Sequence, residues 1–124
     1  MGKTDLDKVL QNYGAAWNAT DASERATLLA ASFAKDGLYC DPSARVEGRT
    51  ALVAHIGGMQ EGMPGALLEL TSGPDTHHGF VRFHWHLRGA DGAVAITGLD
   101  CCTLADDGRL QQVIGFFGEV PALQ

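Results

Sequence analysis

The chain has 124 residues, a length that fits one domain with its own core. Hydrophobic residues make up 45% and charged residues 19%, a composition typical of a globular protein rather than a disordered one. The formal net charge of -6 disfavours nucleic acids and anionic membrane surfaces as partners, because both repel an acidic protein. No apolar run approaches the ~20 residues of a membrane helix and the N-terminus has no apolar signal core, so we expect a cytoplasmic protein.

The first half of the chain is predicted to be mainly helical. Apolar residues recur at three- and four-residue spacings and predict a helix over residues 4–18 with one apolar face. That face carries Leu6, Val9, Leu10, Tyr13, Ala16 and Trp17. Asp21 is placed to cap a second helix, with Glu24 as its capping-box partner, and this helix is predicted to end near Ala34. A third helix is predicted from about Thr50 to Glu61.

The second half of the chain has the alternation and turn signals of strands. A short strand over residues 38–40 precedes the turn at Asp41-Pro42. Four longer strands then follow, with glycine-containing hairpin turns after the second and the third. These are Ala66–Ser72, Phe80–Arg88, Val94–Leu104 and Leu110–Phe117. Helices followed by a four-stranded meander predict one α+β domain over residues 1–124, with a curved antiparallel sheet and three helices on its concave face.

Asp100 is the most unusual residue of these strands. It lies in the middle of ITGLDCCTL, residues 96–104, which is otherwise apolar, β-branched or small. A carboxylate in mid-strand is unfavourable unless it is paired, solvated or protonated. If Asp100 faces the interior, burial raises its pKa and the neutral acid becomes a hydrogen-bond donor. Alternatively, Asp100 faces outward or pairs with an arginine such as Arg82.

The histidines of the predicted strand Phe80–Arg88 raise the question of a metal. His84 and His86 alternate onto one face of a strand, and such a pair can bind a metal through its imidazole nitrogens. No third ligand stands at a suitable spacing, so a solvated or dimer-facing surface is the simpler interpretation. No role is assigned to His77 and His78.

The three cysteines, Cys40, Cys101 and Cys102, are an odd number without a CxxC spacing. Cys101 and Cys102 are strand neighbours, so their side chains are expected on opposite faces. We interpret all three as reduced thiols that behave as small apolar residues.

Four segments in chain order carry a family resemblance: YGAAWNATD at 13–21, YCDP at 39–42, TGLD at 97–100 and FFGE at 116–119. The chain resembles the nuclear transport factor two-like superfamily, and most of all its branch of ketosteroid isomerases and SnoaL-type polyketide cyclases, over about residues 5–119. The resemblance implies a cone-shaped α+β fold. It also implies a homodimer that pairs through the outer face of the sheet.

The resemblance also implies roles for three residues. In ketosteroid isomerases, a tyrosine on the first helix and an aspartic acid on the third long strand form an oxyanion hole, and an aspartate in an Asp-Pro step is the proton-shuttling base. The matching positions are Tyr13, Asp100 and Asp41. The implied activity is a cofactor-independent isomerase or cyclase that moves a proton on a hydrophobic carbonyl substrate, steroid-like or polyketide-like, through an enol or enolate.

Simpler interpretations stay open for these residues. Tyr13 could be a core tyrosine with a satisfied hydroxyl, and Asp41 could be a turn former. The same pocket could hold a small apolar ligand without turnover, as a binding module. A third alternative is a metal-dependent enzyme that uses His84 and His86.

Overall fold

A computed structural model of the chain describes residues 5–124. It contains three helices and seven strands. The helices are α1 (Leu6–Asn18), α2 (Ala22–Ser32) and α3 (Arg49–Gly62). The strands are β1 (Phe33–Asp41), β2 (Ala44–Glu47), β3 (Leu67–Leu70), β4 (Asp75–His77), β5 (Phe80–Arg88), β6 (Val94–Leu104) and β7 (Leu110–Phe117).

The helices lie close to where the sequence predicts them. Asp5 caps α1 by accepting a hydrogen bond from the backbone N–H of Asp7, and the predicted first residue, 4, lies outside the described residues. Asp21 caps α2 by accepting from the backbone N–H of Glu24. The helix ends at Ser32, two residues before the predicted end, because the chain passes directly into a strand. No helix among residues 5–124 is both long and apolar enough to cross a membrane.

The α+β class is confirmed, but the sheet is mixed rather than wholly antiparallel. Its strand order is β2-β1-β7-β6-β5-β3, with β4 paired to β5, and β1 runs parallel to β7. The prediction of a three-residue first strand was wrong, since β1 spans nine residues. The exposed Lys35 and Asp36 interrupt its apolar pattern where the register of β1 on β7 shifts, so the strand is not visible as one apolar run.

The hairpin strands are confirmed with the predicted bounds for β5, β6 and β7, whereas β3 is shorter than expected. Along β5, burial alternates with a period of two. The inward side chains are Val81, Phe83, Trp85 and Leu87, and the outward ones are Phe80, Arg82, His84 and His86. The inward face packs on the helices and forms the core of the protein.

A buried arginine joins the three helices behind this core. Arg25 is only 4% exposed, and no carboxylate of the described chain lies within 4.0 Å of it. Its guanidinium instead donates to the carbonyl oxygens of Ala19 and Val53 and to Oε1 of Gln60. Gln60 in turn donates through Nε2 to the carbonyl oxygens of Trp17 and Ala19. These bonds fix the end of α1 against α3.

Candidate functional site

A cavity of about 490 Å³ lies between the helices and the inner face of the sheet. Its wall is largely apolar, with residues such as Met59, Met63, Leu68, Leu87 and Ile96. The few polar side chains on it are Tyr13, Tyr39, Asp41, Ser43, His55 and Asp100, besides the indoles of Trp17 and Trp85. Small-molecule sites in proteins have this size and this scarcity of polar groups. The structure therefore brings all three sequence-predicted residues, Tyr13, Asp41 and Asp100, to one cavity.

Asp100 is held in this wall by an indole. Its side chain is 6% exposed, and Oδ1 accepts a hydrogen bond of 3.0 Å from Nε1 of Trp85. The pKa of Asp100 is raised to about 7, because burial and, to a smaller extent, the charge of Asp41 outweigh the lowering effect of the Trp85 hydrogen bond. Oδ2 of Asp100 has no hydrogen-bond partner among residues 5–124. The carboxyl can therefore gain or lose a proton near neutral pH with one oxygen free.

Gly98 makes the Trp85–Asp100 contact possible. Trp85 and Gly98 are cross-strand partners, and the indole lies directly over the glycine. A Cβ on Gly98 would lie 2.0 Å from Cζ2 of Trp85, far inside van der Waals contact. Only glycine leaves room for the ring at this place. Gly98, the glycine of TGLD, is therefore needed because the indole that hydrogen-bonds to Asp100 packs directly over it.

The two carboxyl groups meet across a second glycine, Gly115 of β7. The position of a Cβ on Gly115 would lie 2.9 Å from Oδ1 of Asp100 and 3.5 Å from Cβ of Asp41. Asp100 is the cross-strand partner of Gly115, and β1 carries Asp41 to the other side of β7. The parallel pairing of β1 with β7, which the sequence does not predict, is what brings Asp41 beside Asp100.

Asp41 has the opposite electrostatic environment. Oδ2 accepts a hydrogen bond of 2.6 Å from the Tyr39 hydroxyl, and Oδ1 accepts from the backbone N–H and the hydroxyl of Ser43 at 2.7 and 2.6 Å. Burial tends to raise the pKa of Asp41, but these hydrogen bonds and the field of His55 together hold it below its usual range. Asp41 is therefore an ionised carboxylate whose two oxygens are already engaged.

Tyr13 is almost fully buried in the wall, at 1% exposure. Its hydroxyl has no hydrogen-bond partner within the described part of the chain, and neither has the neighbouring Nε1 of Trp17. Burial, followed by the field of Asp100, raises the pKa of Tyr13 well above its usual value. The phenol thus keeps its proton at any physiological pH and is a neutral donor.

Sequence reasoning missed four polar contributors to the cavity: Tyr39, Ser43, His55 and Trp85. Tyr39 precedes Asp41 by two residues on β1, so strand alternation could have placed both on one face. Trp85 carries a signal too, because it alternates with Phe83 and Leu87. His55 stands four residues before Met59, a spacing that places both on one side of a helix.

The other titratable residues that the sequence singles out lie outside the cavity or make no contact with Asp100. Arg82 forms an exposed ion pair with Asp75 at 2.8 Å rather than with Asp100. His84 and His86 lie on the outer face of β5, and no group of three His, Cys, Asp or Glu residues suited to a metal occurs within residues 5–124. The cysteines are free thiols, with Cys102 buried and Cys40 and Cys101 half-buried.

The pKa of Asp100 should move in opposite directions when its two polar neighbours are changed. Trp85→Phe removes the hydrogen bond that stabilises the carboxylate, so the pKa should rise. Asp41→Asn removes a nearby negative charge, so the pKa should fall. A carbon NMR titration of the aspartate carboxyls measures both shifts. A shift of the same sign in both variants would contradict this account of the site.

Asp100 should also make the stability of the protein depend on pH. The folded state holds its proton more tightly than the unfolded chain, because the pKa rises from 3.8 to about 7. This stabilisation is complete below about pH 4 and is lost as the pH rises through about 7. At about 1.4 kcal/mol per pKa unit, the wild-type protein should lose on the order of 4 kcal/mol of unfolding free energy relative to Asp100→Asn across this window.

Urea unfolding of both proteins at several pH values measures this loss. The two proteins differ only at position 100, so the difference between the two curves reports the ionisation of Asp100 together with its effect on the neighbouring Asp41. Curves that stay parallel from acid to neutral pH would show that Asp100 ionises normally.

Comparison with known proteins agrees with this architecture. A candidate isomerase of the SnoaL-like family from Agrobacterium tumefaciens is 34% identical to this chain, and the match covers 90% of this chain and 95% of that one with a TM-score of 0.83. A nuclear transport factor two-like protein from Cytophaga hutchinsonii shares the fold at 10% identity, with 94% and 92% of the two chains covered and a TM-score of 0.69.

A protein with a ketosteroid isomerase-like fold from Catenulispora acidiphila, solved in complex with trimethylamine, shares it at 15% identity, with 87% and 83% covered and a TM-score of 0.67. No protein of curated function matches the chain. The SnoaL-like domain family matches residues 10–113. The predicted superfamily and branch are confirmed, and the chain belongs to the SnoaL-like domain family.

Proposed function

We propose that the protein is a cofactor-independent isomerase or cyclase that moves a proton on a hydrophobic carbonyl compound through an enol or enolate. The observation that carries this proposal is a buried carboxyl with a pKa of about 7 in the wall of an otherwise apolar cavity. Removing a proton next to a carbonyl requires a base of suitable strength and a donor for the developing oxyanion. The cavity wall supplies both from its own side chains. Its apolar lining suits a steroid-like or polyketide-like substrate.

Asp100 is the better candidate for the proton shuttle. A general acid–base group works best when its pKa lies near the working pH, and the free Oδ2 of Asp100 meets this condition. Asp41 has a lowered pKa and both oxygens hydrogen-bonded, which makes it a weaker base. This assignment exchanges the roles that the family resemblance implies for the two carboxyls. Pairs of carboxyls whose surroundings drive their pKa values apart commonly divide acid and base work in this way.

Tyr13 and Asp41 have supporting roles in this mechanism. Tyr13 keeps its proton and donates a hydrogen bond to the oxyanion; because its unpartnered hydroxyl is enclosed in the free protein, the side chains around it must shift when the substrate binds. Asp41 stays ionised, and its charge raises the pKa of Asp100 and so strengthens that base. In the reaction, the carboxylate of Asp100 takes the proton from carbon, and the resulting acid returns it at another carbon of the enolate.

Turnover of a generic cyclic β,γ-unsaturated ketone, followed by ultraviolet absorbance of the conjugated product, tests this function. The rate should rise with pH through about 7 as Asp100 ionises. Asp100→Asn should lower kcat by about 100- to 10,000-fold, the usual contribution of a general base. Asp41→Asn should cost less, because it weakens the base without removing it. Lys35→Ala, an exposed change on β1, is the matched control.

Three results would contradict the assignment in different ways. A larger loss in Asp41→Asn than in Asp100→Asn would return the role of base to Asp41. Full turnover in both variants would exclude the carboxyl mechanism. Stabilisation by apolar ketones in a thermal-shift assay with no turnover would identify the cavity as a binding module for a small apolar ligand, which is the alternative function.

We further propose that the chain forms a homodimer through the outer face of the sheet. This face carries large exposed apolar side chains, Phe80 at 55% and Phe116 at 56% exposure, around the histidines of β5. Exposed aromatic residues grouped on one face are typical of an interface.

Light scattering at tens of micromolar protein, an order of magnitude suited to a modest interface, should give the mass of a dimer. Phe116→Ser should shift it towards the monomer, and a wild-type monomer at this concentration would contradict the proposal.

A further inference from the structure

Two carboxyl groups line the cavity, and among residues 5–124 no lysine or arginine lines it. The acids are Asp41 and Asp100, and the imidazole of His55 is the other side chain of the described wall that can carry charge near neutral pH. No nitrogen of a lysine, arginine or histidine in the described part of the chain lies within 4.0 Å of either carboxyl. Even a protonated imidazole balances one carboxylate of the two. When both acids are ionised, the wall therefore carries an excess of negative charge.

Each carboxyl is hydrogen-bonded by an aromatic ring that also lines the cavity. The Tyr39 hydroxyl donates to Asp41 at 2.6 Å. In the same way, Nε1 of Trp85 donates to Asp100 at 3.0 Å. A donor that is bound to an anion is polarised, so the electron density of its ring rises. The faces of these two rings therefore attract a cation more strongly than an unpaired tyrosine or tryptophan would.

Two further rings stand beside these donors. Trp17 lies 5.3 Å from Tyr39, centroid to centroid, with the ring planes inclined by 47°. Phe117 lies 5.8 Å from Trp85, with the planes at 90°. All four rings line the cavity, and inclined rings border a ligand from two directions. Aromatic rings grouped around a space in this way bind ammonium groups in proteins.

The charge and the rings together select among ligands. An anion in the cavity would be repelled by the ionised Asp41 and would find no lysine or arginine of the described residues on the wall. A neutral ligand gains from the apolar surface but leaves the excess charge unbalanced. A cation gains from the carboxylates and from the ring faces. A protonated His55 would repel a cation, but two carboxyls outweigh it.

We propose that the cavity binds an organic cation, so that the natural ligand is an apolar carbonyl compound that also carries an ammonium group. This inference rests on the proposed function, because it assigns the charge of the substrate in the same cavity. The ammonium group lies against the carboxylate of Asp41 and the rings of Trp17 and Tyr39, and Asp100 is left for the carbonyl part. Oδ2 of Asp41 accepts one hydrogen bond and keeps a lone pair, to which a protonated amine can donate.

Two ligands of equal shape that differ in one charge test the inference. They are para-(trimethylammonio)benzyl alcohol and para-tert-butylbenzyl alcohol. In calorimetry at about pH 8, where Asp100 is mostly ionised, the cation should bind the wild-type protein about tenfold more tightly than the neutral alcohol, the value of a desolvated cation–π contact. In a carbon NMR titration, the cation should also lower the pKa of Asp100, because a positive charge nearby favours the carboxylate, whereas the neutral alcohol should not lower it.

Substitutions separate the contribution of the charge from that of the rings. Asp41→Asn should remove most of the preference for the cation. Trp17→Leu should reduce the preference about threefold, because one ring face is lost. Both variants should still bind the neutral alcohol, which shows that the cavity is intact. Glu61→Gln, which removes an exposed negative charge of α3, is the matched control and should leave the preference unchanged.

Equal affinity of the wild-type protein for the two ligands would overturn the inference. A preference that is undiminished in both Asp41→Asn and Trp17→Leu, or a cation that leaves the pKa of Asp100 unchanged, would also overturn it, because the cation would then bind elsewhere. These failures leave the proposed function standing if turnover of the simple ketone still depends on Asp100. A cation preference without any turnover would instead overturn the proton shuttle alone. The two failures are therefore distinguishable.

Discussion

The hydrogen bond from the Trp85 indole to Asp100 is the interaction on which the site depends. At the buried position of Asp100, an isolated carboxylate would be too costly to ionise near neutral pH. A single indole N–H offsets part of that cost and leaves the pKa at about 7 instead of higher. The bond in turn requires a glycine beneath the ring, at Gly98, because any side chain there would displace the indole. Asp100 thus constrains two other positions, Trp85 on β5 and Gly98 on β6.

Two aspartates of the cavity, Asp100 and Asp41, lie close together but have pKa values shifted in opposite directions. Asp100 has a raised pKa because burial outweighs its one hydrogen bond, whereas Asp41 has a lowered pKa because Tyr39 and Ser43 outweigh burial. Their proximity across Gly115 reinforces the difference, since the ionised Asp41 makes a second negative charge unfavourable. Asp100 is the more deeply buried of the two and accepts one hydrogen bond, whereas the half-buried Asp41 accepts three, and both differences favour proton exchange near neutral pH at Asp100.

The sequence predicts the hairpin strands well and the first strand poorly, for a physical reason. The alternation of β5, β6 and β7 is continuous and ends at glycine turns, so it needs no tertiary information. The long β1 is interrupted by Lys35 and Asp36, and it is completed only by a partner at the other end of the chain. Motif position places Asp41 and Asp100 in the cavity. The sequence does not predict that His55 lies in the cavity, because a single histidine on a helix belongs to no pattern that indicates which strand its ring will contact.

The parallel pairing of β1 with β7 has a consequence for folding. Residues such as Tyr39 and Val113, which this pairing makes neighbours, are separated by most of the chain, whereas the hairpins of β5, β6 and β7 are local. Contacts between residues so far apart in the sequence require the largest loss of loop entropy. We therefore expect β1 to pair with β7 after the hairpins of β5, β6 and β7 have formed. An intermediate with the three hairpin strands in place would carry Asp100 but not yet Asp41 beside it. Asp41 and Asp100 are then brought together by β1, the last strand to join the sheet. During synthesis, the three helices have no complete sheet to pack against until β7 has left the ribosome.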